Sequence, residues 1–157
     1  MTSKAGVATA KGTVGQYRTL LAERRALVSS YLSDYDRYLN ALPRGDFKAG
    51  AMLSMEANKA ATVKLYADLD TAQTAWTDSI SNVLDWADKQ AGRLTARGEQ
   101  LMFTTTAQQA ELSALVGKVQ TSETSMNKVL TATAAAQAAA QAKTKANMAE
   151  ADKLLAK

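Results

Sequence analysis

The sequence predicts an all-α protein, an elongated antiparallel bundle of three long helices over about 13–42, 46–92 and 98–155 with coiled-coil-like seams. Three observations predict it. One Pro and eight Gly in 157 residues leave few places to turn, so the helices must be long. Apolar residues recur at steps of three, four and seven over extended windows. Ala, the strongest helix former, is concentrated toward the C-terminus.

Residues 1–12 hold small side chains, Gly6 and Gly12, and no periodic apolar set, which predicts a flexible lead-in. The first helix is then organised on Val14, Leu21, Val28, Tyr35 and Leu42, with Tyr17, Arg24, Tyr31 and Tyr38 three residues on and Leu20, Leu27, Leu32 and Leu39 beside them. That stripe is broader than a two-stranded zipper needs and suits a helix packed against two or more others. Arg24 interrupts it, either by extending its head group to solvent or by meeting an acidic partner that sets register.

Pro43-Arg44-Gly45-Asp46 ends this helix: Pro43 cannot continue the hydrogen bonding, Gly45 tolerates positive φ, and Asp46 is a candidate N-cap. The same residues spell Arg-Gly-Asp, a tripeptide that turn chemistry already explains. The second helix carries Tyr66, Leu69, Trp76, Ile80, Val83, Ala87 and Leu94 on its seam. Trp76 is a core candidate, whereas Trp86 lies off the seam beside Asp78, Asp85 and Asp88. At this length the second helix overhangs the first.

Gly92 and Gly98 mark the next turn, and Thr104-Thr105-Thr106 a second weak point, because consecutive β-branched residues restrict χ1. Leu112, Leu115, Val119, Ser122, Met126 and Val129 continue the rhythm. Residues 13–130 therefore read as the bundle, and 131–157 as an Ala/Gln/Lys-rich extension in which Ala135 and Ala139 mark a small-residue contact strip.

Charge is distributed as basic, acidic, basic around a net +4. The basic half, including Arg18 and Arg25, complements the acidic Asp78, Asp85 and Asp88, which predicts docking of one copy's basic half on the acidic block of a neighbour. Nucleic acid is disfavoured as a partner, since no Lys/Arg run or aromatic platform occurs. Met1 to Gly15 lacks an apolar core, so no secretory signal is expected, and no window approaches the ~20 apolar residues of a membrane span. The expectation is a soluble protein, cytoplasmic or within an assembled particle.

Catalytic chemistry finds little to work with. His and Cys are both absent, which removes imidazole bases, thiolate nucleophiles, triads and structural zinc sites. No phosphate-binding loop, dinucleotide fingerprint or Ca²⁺ loop occurs. No catalytic residue, metal, cofactor or small-molecule substrate is expected. The leading expectation is a non-enzymatic structural protein that oligomerises or docks into a larger complex, most specifically a phage or virion component by analogy of type. Two alternatives are an adaptor or chaperone-like bundle holding a partner helix, and an interfacial protein aided by Met52, Met55, Met102 and Phe103.

Overall fold

Three helices form wherever the apolar rhythm runs unbroken, and a short hairpin fills the Gly-flanked interval before the last. The computed structural model describes residues 4–41, 45–97 and 100–155. Helix α1 spans Lys4–Ala41, α2 Asp46–Lys89 and α3 Thr106–Leu155. Strands β1 (Thr95–Arg97) and β2 (Gln100–Met102) pair antiparallel, with Ala96 opposite Leu101. The fold is an all-α bundle with one small ribbon.

Helix α1 begins at Lys4, so the expectation of a flexible lead-in is corrected over 4–12, while residues 1–3 lie outside the described residues. Val7 is 1% exposed and Lys11 reaches two carboxylates of α2, and these tertiary contacts offset the ~1 kcal/mol that Gly12 costs a helix. The longer α1 shortens the expected overhang without removing it: the pairs Lys11–Asp88 and Asp36–Lys59 set Ala41 level with roughly the third turn of α2, so the first turns of α2 run past it. The two pairs follow opposite orders along the two helices, so α1 and α2 are antiparallel.

Helix α2 starts after Gly45, which sits at φ 147°; Asp46 is its first helical residue and not the N-cap expected of it. Leu42, Pro43 and Arg44 lie outside the described residues, and with Arg44 part of the Arg-Gly-Asp tripeptide. At the far end the amide of Gln90 donates to the Trp86 carbonyl, and Gly92 takes φ 83°, a left-handed conformation that costs Gly little. A turn expected near Gly92 is present.

Helix α3 starts at Thr106, eight residues later than expected, because Thr104 and Thr105 build a cap. The Gln108 amide donates to Thr105 Oγ1 at 3.2 Å, while Gln108 Oε1 accepts from the amides of Thr104 and Thr105 at 3.0 and 3.2 Å. This reciprocal capping box satisfies backbone donors that a helix start otherwise leaves open. The threonines that looked like a weak point are the stop and start signal.

Both outer helices pack on α2, and among the described residues no Cα of α1 comes within 8 Å of a Cα of α3. The core is correspondingly thin. Val7, Leu21, Leu39, Leu69, Leu84, Trp86 and Met126 are buried, joined by the polar Gln73, Thr77, Ser79 and Thr133. Thr77 and Ser79 return their hydroxyls to α2 carbonyls at 2.7 Å, which is why small polar residues fit this seam. Thr133 differs from them, its buried Oγ1 having no hydrogen-bond partner.

A buried hydroxyl without a partner lowers stability. Thr133→Val should therefore raise the unfolding free energy by about 1 kcal/mol, read as a higher urea midpoint at unchanged slope. A lower midpoint would show that the hydroxyl is bonded in solution.

Candidate interaction surface

The sequence-predicted charged residues come together, but within one chain. Arg18 donates to Asp78 at 2.6 Å and to Ser81 Oγ at 3.1 Å. Lys11 bridges Asp85 and Asp88 at 2.9 and 2.8 Å. Arg25 donates through Nε to Asp70 at 2.6 Å and through Nη2 to Thr74 at 3.1 Å. The expectation that Arg18 and Arg25 dock on the acidic block of a neighbouring copy is corrected: the antiparallel hairpin brings the two halves of one chain into that register. Lys11 and Asp70 were not among the expected site residues. A step of seven residues along α1 from Arg18 reaches Lys11 and Arg25, and a step of seven or eight along α2 from Asp78 reaches Asp85 and Asp70, which is the ladder.

Arg24 takes the second of its two expected roles. Its guanidinium, half-buried, binds the Gln73 side chain and lies 3.4 Å from Asp70, so the polar break in the α1 seam answers a polar break in the α2 seam. Such a matched layer specifies register more than it stabilises. Beside it opens a cavity of about 260 Å³ between α1 and α2, walled by Val28, Leu32, Val63 and Tyr66 and rimmed by Arg25 and Asp70.

Trp86, off the first seam and for that reason an interaction candidate, is buried inside the chain. It is 9% exposed, and its Nε1 donates to Glu111 Oε2 of α3 at 2.9 Å. The indole covers the α2–α3 seam, where Ser79 and Ser122 share a hydrogen bond of 2.8 Å and Gln108 donates to Gln90 at 2.9 Å. The sequence periodicity places Ser122 and Gln90 on the helix seams but not Trp86, Ser79 or Gln108, because it follows only one side of α2. Trp76 is half-buried, with Tyr17 edge-on at 5.8 Å.

What the chain leaves uncovered lies elsewhere. Leu20, Leu27, Tyr31 and Tyr38 of α1 are 60%, 71%, 59% and 62% exposed. Their spacing of seven, four and seven places all four on one face, next to the face that meets α2. On α3, Val116 and Leu130 are 39% and 38% exposed, and every described residue of 134–146 is exposed, Ala135 and Ala139 included. Ordinary monomers seldom gather four large apolar side chains in one exposed row.

The candidate surface is thus one apolar face of α1 and the exposed 134–146 stretch of α3. Compared with protein-family models, curated proteins and solved structures, the chain matches none of them. Among the described residues no helix is long and apolar enough to cross a membrane, and no group of three or more acidic residues is placed to hold a metal ion.

The ion-pair ladder gives the hairpin a pH window. The hydrogen bond that Lys11 donates holds the Asp88 carboxyl below its ordinary value, and donating to Asp88 and then Asp85 raises the Lys11 ammonium. A lowered carboxyl contributes stability that is complete above the unfolded value of about 3.9 and lost as pH falls further; a raised ammonium contributes below about 10.4 and loses it as pH rises. Thermal midpoints should therefore be flat between about pH 5 and 9 and fall on either side, and Lys11→Ala should reduce the fall on both. Asp70, half-buried between Arg24 and Arg25, is the costlier site. Asp70→Ala should lower the unfolding free energy by about 1–3 kcal/mol in urea titration, and no loss would show that the two arginines are paired elsewhere.

Proposed function

We propose that the protein is a non-enzymatic assembly subunit, a helical building block that works by joining copies of itself or the parts of a larger complex. The observation that carries this reading is the uncovered row Leu20, Leu27, Tyr31 and Tyr38, supported by the exposed Ala-rich end of α3. A row of large apolar side chains costs solubility and, in the single chain, contributes little to folding. It is understandable as surface reserved for company. Small residues along α3 suit the same use, since Ala allows a second helix to approach closely.

The chemistry of the chain favours binding over catalysis. Without His or Cys, acid–base and nucleophilic roles fall to carboxylates, and those of α2 near α1 are held in ion pairs with Lys11, Arg18, Arg24 and Arg25. A virion or phage particle is one setting for such a subunit, by analogy of type.

Sedimentation velocity across low to high micromolar concentration tests the reading. The expected outcome is a mass of at least two chains that grows in population with concentration. A folded monomer at every concentration would overturn it.

A further inference from the structure

We infer that the exposed face of α1 pairs with the same face of a second copy, antiparallel, about a two-fold axis beside Ser30. The inference rests on the assembly reading above and deepens it by naming partner and geometry.

The exposed row belongs to a second heptad seam on α1, displaced from the one that meets α2. Its successive positions are Leu20, Arg24, Leu27, Tyr31, Asp34 and Tyr38, at steps of four, three, four, three and four. Arg24 is half-buried, and the other five are exposed. In an antiparallel pair the two kinds of seam position face each other in layers. Aligning α1 with its own reverse places Leu27 opposite Tyr31 of the second copy, Arg24 opposite Asp34, and Leu20 opposite Tyr38.

Each layer matches. Two join a leucine to a tyrosine, large against large without two bulky rings colliding, and in the third Asp34 faces Arg24, whose guanidinium also holds Gln73 and Asp70 of α2. Just outside the seam, Glu23 comes near Arg37 of the second copy, again with opposite charges. Both are exposed, and Arg37 lies 3.2 Å from Asp34 of its own helix. Self-complementarity under a two-fold operation is what an isologous dimer requires.

Charge also selects the direction. A parallel pair in register would set Arg24 against Arg24 and Asp34 against Asp34, two repulsive layers in the middle of the seam. The antiparallel pair turns both into attractive ones. In area, four side chains at 59–71% exposure offer on the order of 500 Å² per copy, and the charged rim brings the contact toward the roughly 800 Å² per partner of a standard interface. The gap between α1 and α3 keeps α3 from covering this face.

The test uses the full chain and variants at exposed positions, with circular dichroism confirming unchanged helicity. Leu27→Asp should turn the associating protein into a monomer in sedimentation equilibrium. Glu23→Arg and Arg37→Glu should each weaken association about tenfold, since each reversal acts twice across the two-fold, and the double variant should recover to within about threefold of the starting protein. If the parent associates while Leu27→Asp leaves its mass unchanged, or the double variant fails to recover, this pairing is overturned and the assembly reading stands. A parent that stays monomeric overturns both, and if Leu27→Asp then abolishes its sedimentation with anionic vesicles, the face belongs to lipid.

Discussion

The antiparallel register of α1 on α2 is the constraint on which everything else depends. It is set by five cation sites, Lys11, Arg18, Arg24, Arg25 and Lys59, each reaching a carboxylate on the facing helix. Most of these pairs are exposed, where one pair contributes little free energy. Their collective effect is geometric: a slip by one turn would set Arg18 and Arg25 away from Asp78 and Asp70 together. With the register fixed, Val7, Leu21 and Leu39 meet α2, and the remaining apolar row of α1 has nowhere to go but outward. One interface thus determines which face the other keeps free.

The two seams of α2 use different chemistry, and the difference has consequences. Toward α1 the contacts are ionic; toward α3 they are hydroxyl, amide and indole hydrogen bonds around Ser79–Ser122, Gln90–Gln108 and Trp86–Glu111. The two neutral pairs among these, Ser79–Ser122 and Gln90–Gln108, respond weakly to salt and pH, whereas the α1 ladder responds to both. Burial on α3 reaches Met126 and Thr133, and every described residue of 134–146 is exposed. Ala propensity carries that stretch of the helix. Such a segment is marginal in water and opens more easily than the seam.

How far these features were legible varies by physical cause. Long helices and their apolar faces were readable because the three-four period is a local property of the chain. Gly92 was readable as a turn because its positive φ has a single-residue signature. The start of α1 was not, since Gly6 and Gly12 lower local propensity and only the tertiary contacts of Val7 and Lys11 overrule it. Thr105 and Gln108 form a capping box by a local spacing that the β-branched triplet overlaps, so the same threonines carry both a helix-weakening and a helix-starting signal. The charge blocks were seen correctly as complementary, but periodicity says which face a residue occupies and not which helix covers it. For that reason Arg18, Arg25, Asp78, Asp85 and Asp88 were assigned to a contact between copies, and Trp86 to an interaction role, when one hairpin and one seam absorb them.

That same indeterminacy bears on the Tyr17, Arg24, Tyr31 and Tyr38 position. In the sequence it reads as half of one broad stripe; in the fold the stripe divides. Val14, Leu21, Val28 and Tyr35 belong to the side that meets α2, Tyr17 and Arg24 sit at the edge, and Tyr31 and Tyr38 pass to the open side with Leu20 and Leu27. A helix of a simple hairpin needs one stripe about 100° wide. This one carries a second, punctuated by Arg24 and Asp34 at spacings that repel a parallel copy and attract an antiparallel one. Punctuation of that kind is of no use to indiscriminate adhesion, which needs only apolar area, but it is what a contact with one direction and one register requires.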